Sequence, residues 1–145
     1  GALVFNYVVT AENIPHTLRL YLADWNLTPM QFLILVNIVL LLAGAMLEGT
    51  AILLIIVPVF LPSATALGVD PVHFGVVAVV NIMIGLITPP YGLLIFIMQS
   101  ITGAPLRLII RDLIPFILAL LLALAVITVS PDFVLWLPRM FGYQG

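Results

Sequence analysis

The sequence contains no cysteine and no lysine, and its only charged residues are four arginines and six aspartates or glutamates. Without cysteine the chain cannot form disulfides, thiolate nucleophiles or cysteine-ligated metal sites. A net charge of −2 with no basic cluster leaves no surface for binding phosphates, which excludes nucleic acid as a partner.

Residues suited to catalysis are also scarce. The two histidines, His16 and His73, have no partner in a His-Glu-x-x-His zinc motif. Glu48 is the only carboxylate predicted to lie at membrane depth, so a pair of carboxylates there is excluded. His73 follows Asp70-Pro71 at a predicted helix start, where we expect a surface position. The sequence predicts that the protein is not an enzyme and holds no cofactor.

The chain is instead rich in apolar residues: 64% are hydrophobic and 7% are charged, against about 25% charged residues in soluble domains. The run from Pro71 to Leu106 carries no Asp, Glu, Lys or Arg. This run is longer than the roughly 20 residues that a helix needs to cross the hydrocarbon core of a bilayer. The sequence therefore predicts an all-α integral membrane protein in contact with the lipid bilayer.

A helix break is predicted in the middle of this run, at Thr88-Pro89-Pro90, with Gly85 and Gly92 on either side. Two successive prolines remove two amide donors and push the residue before each of them out of the α region. The residues from 71 to 102 thus form a discontinuous transmembrane helix, broken around residues 88–90. Non-helical backbone at membrane depth is found where it is buried in protein or lines a cavity, as in secondary transporters. The alternative is a proline kink that serves only helix packing.

A helical hairpin is predicted over residues 29–66, with its tip at Gly44 to Thr50. The second arm, Thr50 to Pro62, is short of the ~20 residues of a full span, which favours a re-entrant hairpin over two complete crossings. Glu48 at the tip has two interpretations. It could lie at an ion or proton site, or it could cap the amides of the helix that begins at Gly49-Thr50.

Two asparagines on neighbouring predicted helices, Asn37 and Asn81, could form hydrogen bonds between the helices. Asn81 lies about two turns before the break, so we expect it to face the cavity. Arg107 and Arg111 mark the cytoplasmic side by the positive-inside rule. The remaining predicted segments are the end of a span (1–11), an interfacial arm (12–28), a cytoplasmic amphipathic stretch (104–112), a last span (113–130) and an aromatic tail (131–145).

Several spacings together closely resemble the large membrane subunit of TRAP transporters, the tripartite ATP-independent periplasmic carriers of bacteria and archaea. They are Gly44-x-x-x-Glu48, the run from Gly68 to Gly75, and Asn81-x-x-Ile-Gly85-x-x-Thr-Pro-Pro-x-Gly92. The resemblance extends nearly end to end, to Leu135-Trp136-Leu137-Pro138.

This resemblance implies a sodium-driven elevator mechanism with two inverted repeats, of which this chain would be the second. It also implies import of a small carboxylate-bearing solute, delivered by a periplasmic solute-binding protein, and a small four-helix membrane subunit as partner. The location implied is the bacterial or archaeal inner membrane, with several crossings. The alternative function is a structural or channel-forming membrane domain whose helix breaks serve packing only.

A sodium site is then predicted between the hairpin tip and the helix break. Sodium prefers oxygen ligands, and both places offer carbonyls that lack helical donors, at the negative ends of helix dipoles. Thr50 and Thr88 are the expected side-chain ligands, and the amides after Gly92 are expected to face a substrate carboxylate. The complete predicted sodium and substrate site is Gly44, Glu48, Gly49, Thr50, Asn81, Gly85, Thr88, Pro89, Pro90 and Gly92.

Overall fold

The computed structural model describes residues 27–143, which form six helices. The predictions for the span end at 1–11 and for most of the interfacial arm lie outside these residues. The helices are α1 (Pro29–Met46), α2 (Gly49–Ala66), α3 (Pro71–Gly85), α4 (Leu93–Thr102), α5 (Leu106–Val129) and α6 (Pro131–Met140).

Two of the helix starts follow directly from local sequence. Thr28 caps α1 in a capping box, because its hydroxyl accepts from the Gln31 amide while the Gln31 side chain accepts from the Thr28 amide. Asp70 caps α3 through the amides of Val72 and His73. Each cap is followed by a proline at the first helical position. The N–H that proline lacks would have no partner within the helix at this position.

Helix α2 differs from the expected short arm, because it runs for 18 residues from Gly49 to Ala66 with Pro58 and Pro62 inside it. The prediction that this arm ends at Pro62 is therefore wrong. Past the second proline, the Thr65 hydroxyl donates to the carbonyls of Leu61 and Pro62. Interior prolines are tolerated in membrane helices.

Helix α5 joins two segments that the sequence predicts as separate, the amphipathic stretch at 104–112 and the last span at 113–130. It runs unbroken for 24 residues from Leu106 to Val129. No glycine or capping side chain follows Asp112, and Pro115 lies inside the helix without ending it. The predicted tail also contains a helix, α6, which starts at Pro131 directly after α5.

The core lies where α1, α2 and α3 meet, and it is built from buried apolar side chains such as Phe32, Ile52 and Phe74. A second cluster, formed by Val77, Ile84 and Leu124, joins α3 to α5. The large apolar side chains of α4 and α5 are mostly exposed. Such surfaces suit lipid or further protein rather than water.

Three helices, α1, α2 and α5, are long and apolar enough to cross a membrane. Together with the apolar surface, they confirm the prediction of an all-helical integral membrane protein.

Candidate functional site

The hairpin tip and the helix break lie against each other. Helix α1 ends at Met46 and α2 begins at Gly49, so the tip is Leu47-Glu48 with the glycines beside it. Helix α3 ends at Gly85, and seven residues, 86–92, separate it from α4. The Gly92 amide donates to the Ala45 carbonyl at 3.3 Å, which joins the end of the break to the end of α1.

Glycine makes this approach close. A Cβ atom built on Gly85 would lie 2.7 Å from both the Cα and the carbonyl carbon of Gly44, closer than real Cβ contacts. A Cβ on Gly49 would lie 3.1 Å from the Ile82 side chain. Gly44 and Gly85 therefore let the backbones of α1 and α3 meet at the tip, and Gly49 leaves room for the Ile82 side chain against α2.

The break is a closed loop rather than an open strand. The Thr88 amide donates to the Gly85 carbonyl and the Leu94 amide donates to the Leu86 carbonyl, so the loop is bonded at its base. The Thr88 hydroxyl donates to the Ile84 carbonyl at 2.7 Å, and the peptide bond between Pro89 and Pro90 is cis. Gly92 closes the loop with a positive φ of 45°, which favours glycine.

Carbonyl groups remain free on both sides of this contact. Within the described chain, no backbone amide bonds to the carbonyls of residues 87–91, and none bonds to those of Gly44, Met46 and Leu47. The C-terminal ends of α1 and α3 both point here, and each carries the partial negative charge of its helix dipole. This is an arrangement that attracts a cation.

The predicted anion site at the start of α4 is partly closed by the protein itself. The amides of Gly92, Leu94 and Ile95 bond to the carbonyls of Ala45, Leu86 and Gly92. The expectation that the amides after Gly92 face a substrate carboxylate is therefore wrong for Leu94 and Ile95, because backbone carbonyls already accept from these two amides.

Glu48 acts as a helix cap. Its Oε1 accepts from the Thr50 amide at 2.9 Å, and its Oε2 accepts from the Ala51 amide at 3.0 Å. The carboxylate thus satisfies the positive end of α2. Glu48 also lines a cavity of about 190 Å³ between the tip and the start of α4, together with Tyr91 and Phe96.

The two predicted threonine ligands lie on different elements, and neither is among the residues that line the tip cavity. Thr50 is exposed in the first turn of α2, and Thr88 is half-buried in the break loop with Pro89. Within the part of the chain that the structure describes, no hydrogen bond joins their hydroxyls. The Thr88 oxygen keeps its lone pairs, because the hydroxyl is the donor in its bond to Ile84.

Asn81 does not face the tip cavity. Its side chain is fully buried and donates to the backbone and side-chain oxygens of Asn37, at 2.8 and 2.7 Å. The expectation of a cavity-facing Asn81 is wrong, because the side chain points from α3 into α1.

His73 is also placed differently from the expected surface position. It is 3% exposed, and its Nε2 lies 2.9 Å from the Ile127 carbonyl near the end of α5. The helix start at Asp70 directs the ring towards α5 rather than into solvent. Sequence reasoning also missed Ala45 and Leu86, which act through backbone carbonyls and leave no side-chain signal.

A second group of contacts holds the far end of the bundle. The Tyr143 hydroxyl donates to the second carboxylate oxygen of Asp70 at 3.2 Å. Desolvation, followed by this hydrogen bond and the negative charge of Asp70, raises the pKa of Tyr143. Beside it, Arg139 and Asp132 form an ion pair on the exposed face of α6. These contacts lie at the end of the bundle away from the tip.

The fold and the site together define a multi-pass membrane protein in which an interrupted helix meets the tip of a helical hairpin. The chain belongs to the family described as "Tripartite ATP-independent periplasmic transporter, DctM component", whose model matches residues 1–133. The resemblance drawn from the sequence motifs is thus confirmed. Membership of a transporter family also agrees with the prediction that the chain is not an enzyme.

Relatives match almost the whole chain. It is 45% identical over 142 residues to the C4-dicarboxylate TRAP transporter large permease protein DctM of Pseudomonas aeruginosa, covering 98% of this chain and 33% of the relative. It is 39% identical over 144 residues to the sialic acid TRAP transporter large permease protein SiaM of Vibrio cholerae, covering 99% of this chain and 34% of the relative. It is 35% identical over 127 residues to the isethionate TRAP transporter permease protein DctMQ of Oleidesulfovibrio alaskensis, covering 88% of this chain and 20% of the relative. The chain spans about a third or less of these relatives' lengths.

Proposed function

We propose that this chain forms the C-terminal part of the large membrane subunit of a sodium-coupled secondary transporter. The proposed activity is import of a small carboxylate-bearing solute. Family membership supports transport over the alternative of a structural or channel-forming domain. The relatives are named for C4-dicarboxylate, sialic acid and isethionate. The first two carry carboxylates and the third a sulfonate, so an anionic group is the feature that their names share.

The observation that carries the proposal is the meeting of the hairpin tip with the helix break. Two helix C-termini, at Met46 and Gly85, converge there. The carbonyls without an amide partner in the described chain are those of Gly44, Met46 and Leu47 at the tip and those of residues 87–91 in the break loop. Neutral carbonyl oxygens can replace the hydration shell of sodium without burying a net negative charge. Glu48 adds a formal negative charge at the same tip, which favours a cation further.

Helix packing supports a re-entrant hairpin, even though α2 is longer than expected. Helix α5 is about 36 Å long. Its C-terminal half packs on α3 through Leu124, while its N-terminal half contacts α4 and, through Leu113 and Phe116, lines a cavity together with Ile87 of the break loop. The break and the adjoining tip therefore lie level with the interior of α5, not with either end.

The partners and location follow from the same proposal. A periplasmic solute-binding protein would deliver the solute, and a small four-helix membrane subunit would complete the membrane part. The complex would lie in the bacterial or archaeal inner membrane. Its two inverted repeats would move the site across the bilayer by an elevator mechanism, and this chain would supply the second repeat.

The test is a sodium titration of the complete transporter, reconstituted with its partner proteins, at fixed solute concentration. We expect Thr88→Ala to raise the half-saturating sodium concentration by roughly tenfold, the scale of losing one ligand worth ~1.4 kcal/mol. Thr50→Ala should act in the same direction. Thr88→Ser is the matched control, because it keeps the hydroxyl that bonds to Ile84.

Wild-type sodium affinity in both alanine variants would remove Thr50 and Thr88 from the site. Uptake that ignores sodium and follows a proton gradient would contradict sodium coupling and move the coupling role to Glu48.

A further inference from the structure

Asn81 makes a paired contact near the centre of the bundle. It is 0% exposed, and its Nδ2 donates both to the Asn37 carbonyl at 2.8 Å and to the Asn37 Oδ1 at 2.7 Å. One side chain of α3 thereby bonds to two oxygens of a single residue of α1. Such a pair fixes both the height and the rotation of one helix against the other, which apolar contacts alone do not.

The same network reaches a third helix. The Asn37 Nδ2 donates to the Thr128 Oγ1 at 2.9 Å, and the Thr128 hydroxyl donates to the Leu124 carbonyl of its own helix at 2.7 Å. The residues therefore form a line of hydrogen bonds from α3 through α1 to α5. The first link, from Asn81 to Asn37, and the second, from Asn37 to Thr128, can be broken separately.

The first link lies next to the tip–break contact. Asn81 is one helical turn before Gly85, which packs on Gly44 with no room for a single added carbon. Helices α1 and α3 run in the same direction, because Asn37 pairs with Asn81 and, further along both helices, Gly44 meets Gly85. A shift of α3 along α1 would pull Gly85 off Gly44 and carry the break loop with it.

The side-chain amide of Asn81 also lowers the stability of the fold. Within the described residues, the Asn81 Oδ1 is buried without a hydrogen-bond partner. A buried acceptor left unpaired lowers stability. What the asparagine adds is the directional pair of bonds to Asn37.

We propose that Asn81 is a positioning residue for the tip–break site: its two bonds to Asn37 set the register of α3 on α1 that seats Gly85 against Gly44. In this role Asn81 positions the backbone of α3 and is not itself a ligand of the ion or the solute. The sodium readout below rests on the proposed function, while the distance readout does not.

The experiment uses the complete transporter with spin labels on cysteines placed at Leu47 and Tyr91, which are exposed and line the same tip cavity. We compare three variants. Asn81→Leu removes the first link, Thr128→Val removes only the second link with little change of shape, and Ser63→Ala removes a buried hydroxyl of α2 that has no partner in the described chain. The last two are the matched controls.

We expect Asn81→Leu to broaden or shift the distance distribution between the labels and to raise the half-saturating sodium concentration roughly fivefold, with a smaller change in maximal rate. Both controls should keep the distance and stay within about twofold of the wild-type sodium affinity. If Asn81→Leu does not assemble, Asn81→Ser serves instead, because its shorter side chain also loses the pair of bonds.

A label distance unchanged in the Asn81 variant overturns the inference, whatever the sodium affinity does. So does an equal change in Thr128→Val, since the effect would then be general loosening. A wild-type protein without sodium dependence refutes the proposed function alone, and a shifted distance in that protein would still support the role of Asn81.

Discussion

The contact between Gly44 and Gly85 gives the sharpest prediction, which concerns the substitution Gly85→Ala. The added Cβ would lie 2.7 Å from the Cα and the carbonyl carbon of Gly44 and 3.0 Å from the Ala45 nitrogen. All three are backbone atoms, so no side chain can rotate away to relieve the clash. The hairpin tip must therefore move away from the end of α3.

The size of the effect follows from two opposing terms. Replacing glycine by alanine inside a helix stabilises it by up to about 1 kcal/mol. Overpacking a close contact typically costs about 1–3 kcal/mol. The substitution Gly75→Ala shows the first term alone. Gly75 lies in the same helix as Gly85, and no atom is within 4 Å of the Cβ that alanine would add there.

The assay is thermal unfolding of the purified complete transporter in detergent, together with the sodium titration of uptake. We expect Gly75→Ala to match or exceed wild-type stability, while Gly85→Ala falls below Gly75→Ala by about 1–3 kcal/mol and loses sodium affinity. Gly44→Ala should be intermediate, since its added Cβ would meet Gly85 and Ile82 at 3.2 Å. Equal stability and equal sodium affinity for Gly75→Ala and Gly85→Ala would refute the close contact between tip and break.

Two further predictions concern the tip and the orientation of the chain. Glu48→Gln keeps one oxygen to accept from the start of α2, whereas Glu48→Ala keeps none. We expect the alanine variant to lose about 1 kcal/mol of stability relative to the glutamine variant, measured by thermal unfolding; equal stability would contradict the cap. A cysteine at exposed Ala66 should react with a membrane-impermeant thiol reagent in intact cells and one at Arg107 should not, by the positive-inside rule. The reversed labelling pattern would contradict this orientation.

Sequence reasoning predicted the parts of the fold that depend on local chemistry. The break follows from Pro89-Pro90, and the helix starts at Pro29 and Pro71 follow from a capping residue placed directly before each proline. These signals act within a few residues, so a single sequence contains them. The family was also predictable, because several fixed spacings matched together over nearly the whole chain.

The wrong predictions concern features that depend on contacts between helices. The end of α2 depends on how Pro58 and Pro62 are accommodated, and periodicity in an all-apolar segment does not show this. The directions of Asn81 and His73 depend on which helix lies opposite each of them. The backbone bond from Gly92 to Ala45 involves no side chain, so no residue type could have indicated it.

The bond between the Leu94 amide and the Leu86 carbonyl has a mechanical consequence. Prolines within a membrane helix are usually taken as hinges, yet here the loop that contains Pro89 and Pro90 is tied across its base and again to α1. These bonds hold the end of α3 and the start of α4 together across the loop. A change in the angle between α3 and α4 would have to break the bond from Leu94 to Leu86, so the loop resists bending although it contains two prolines.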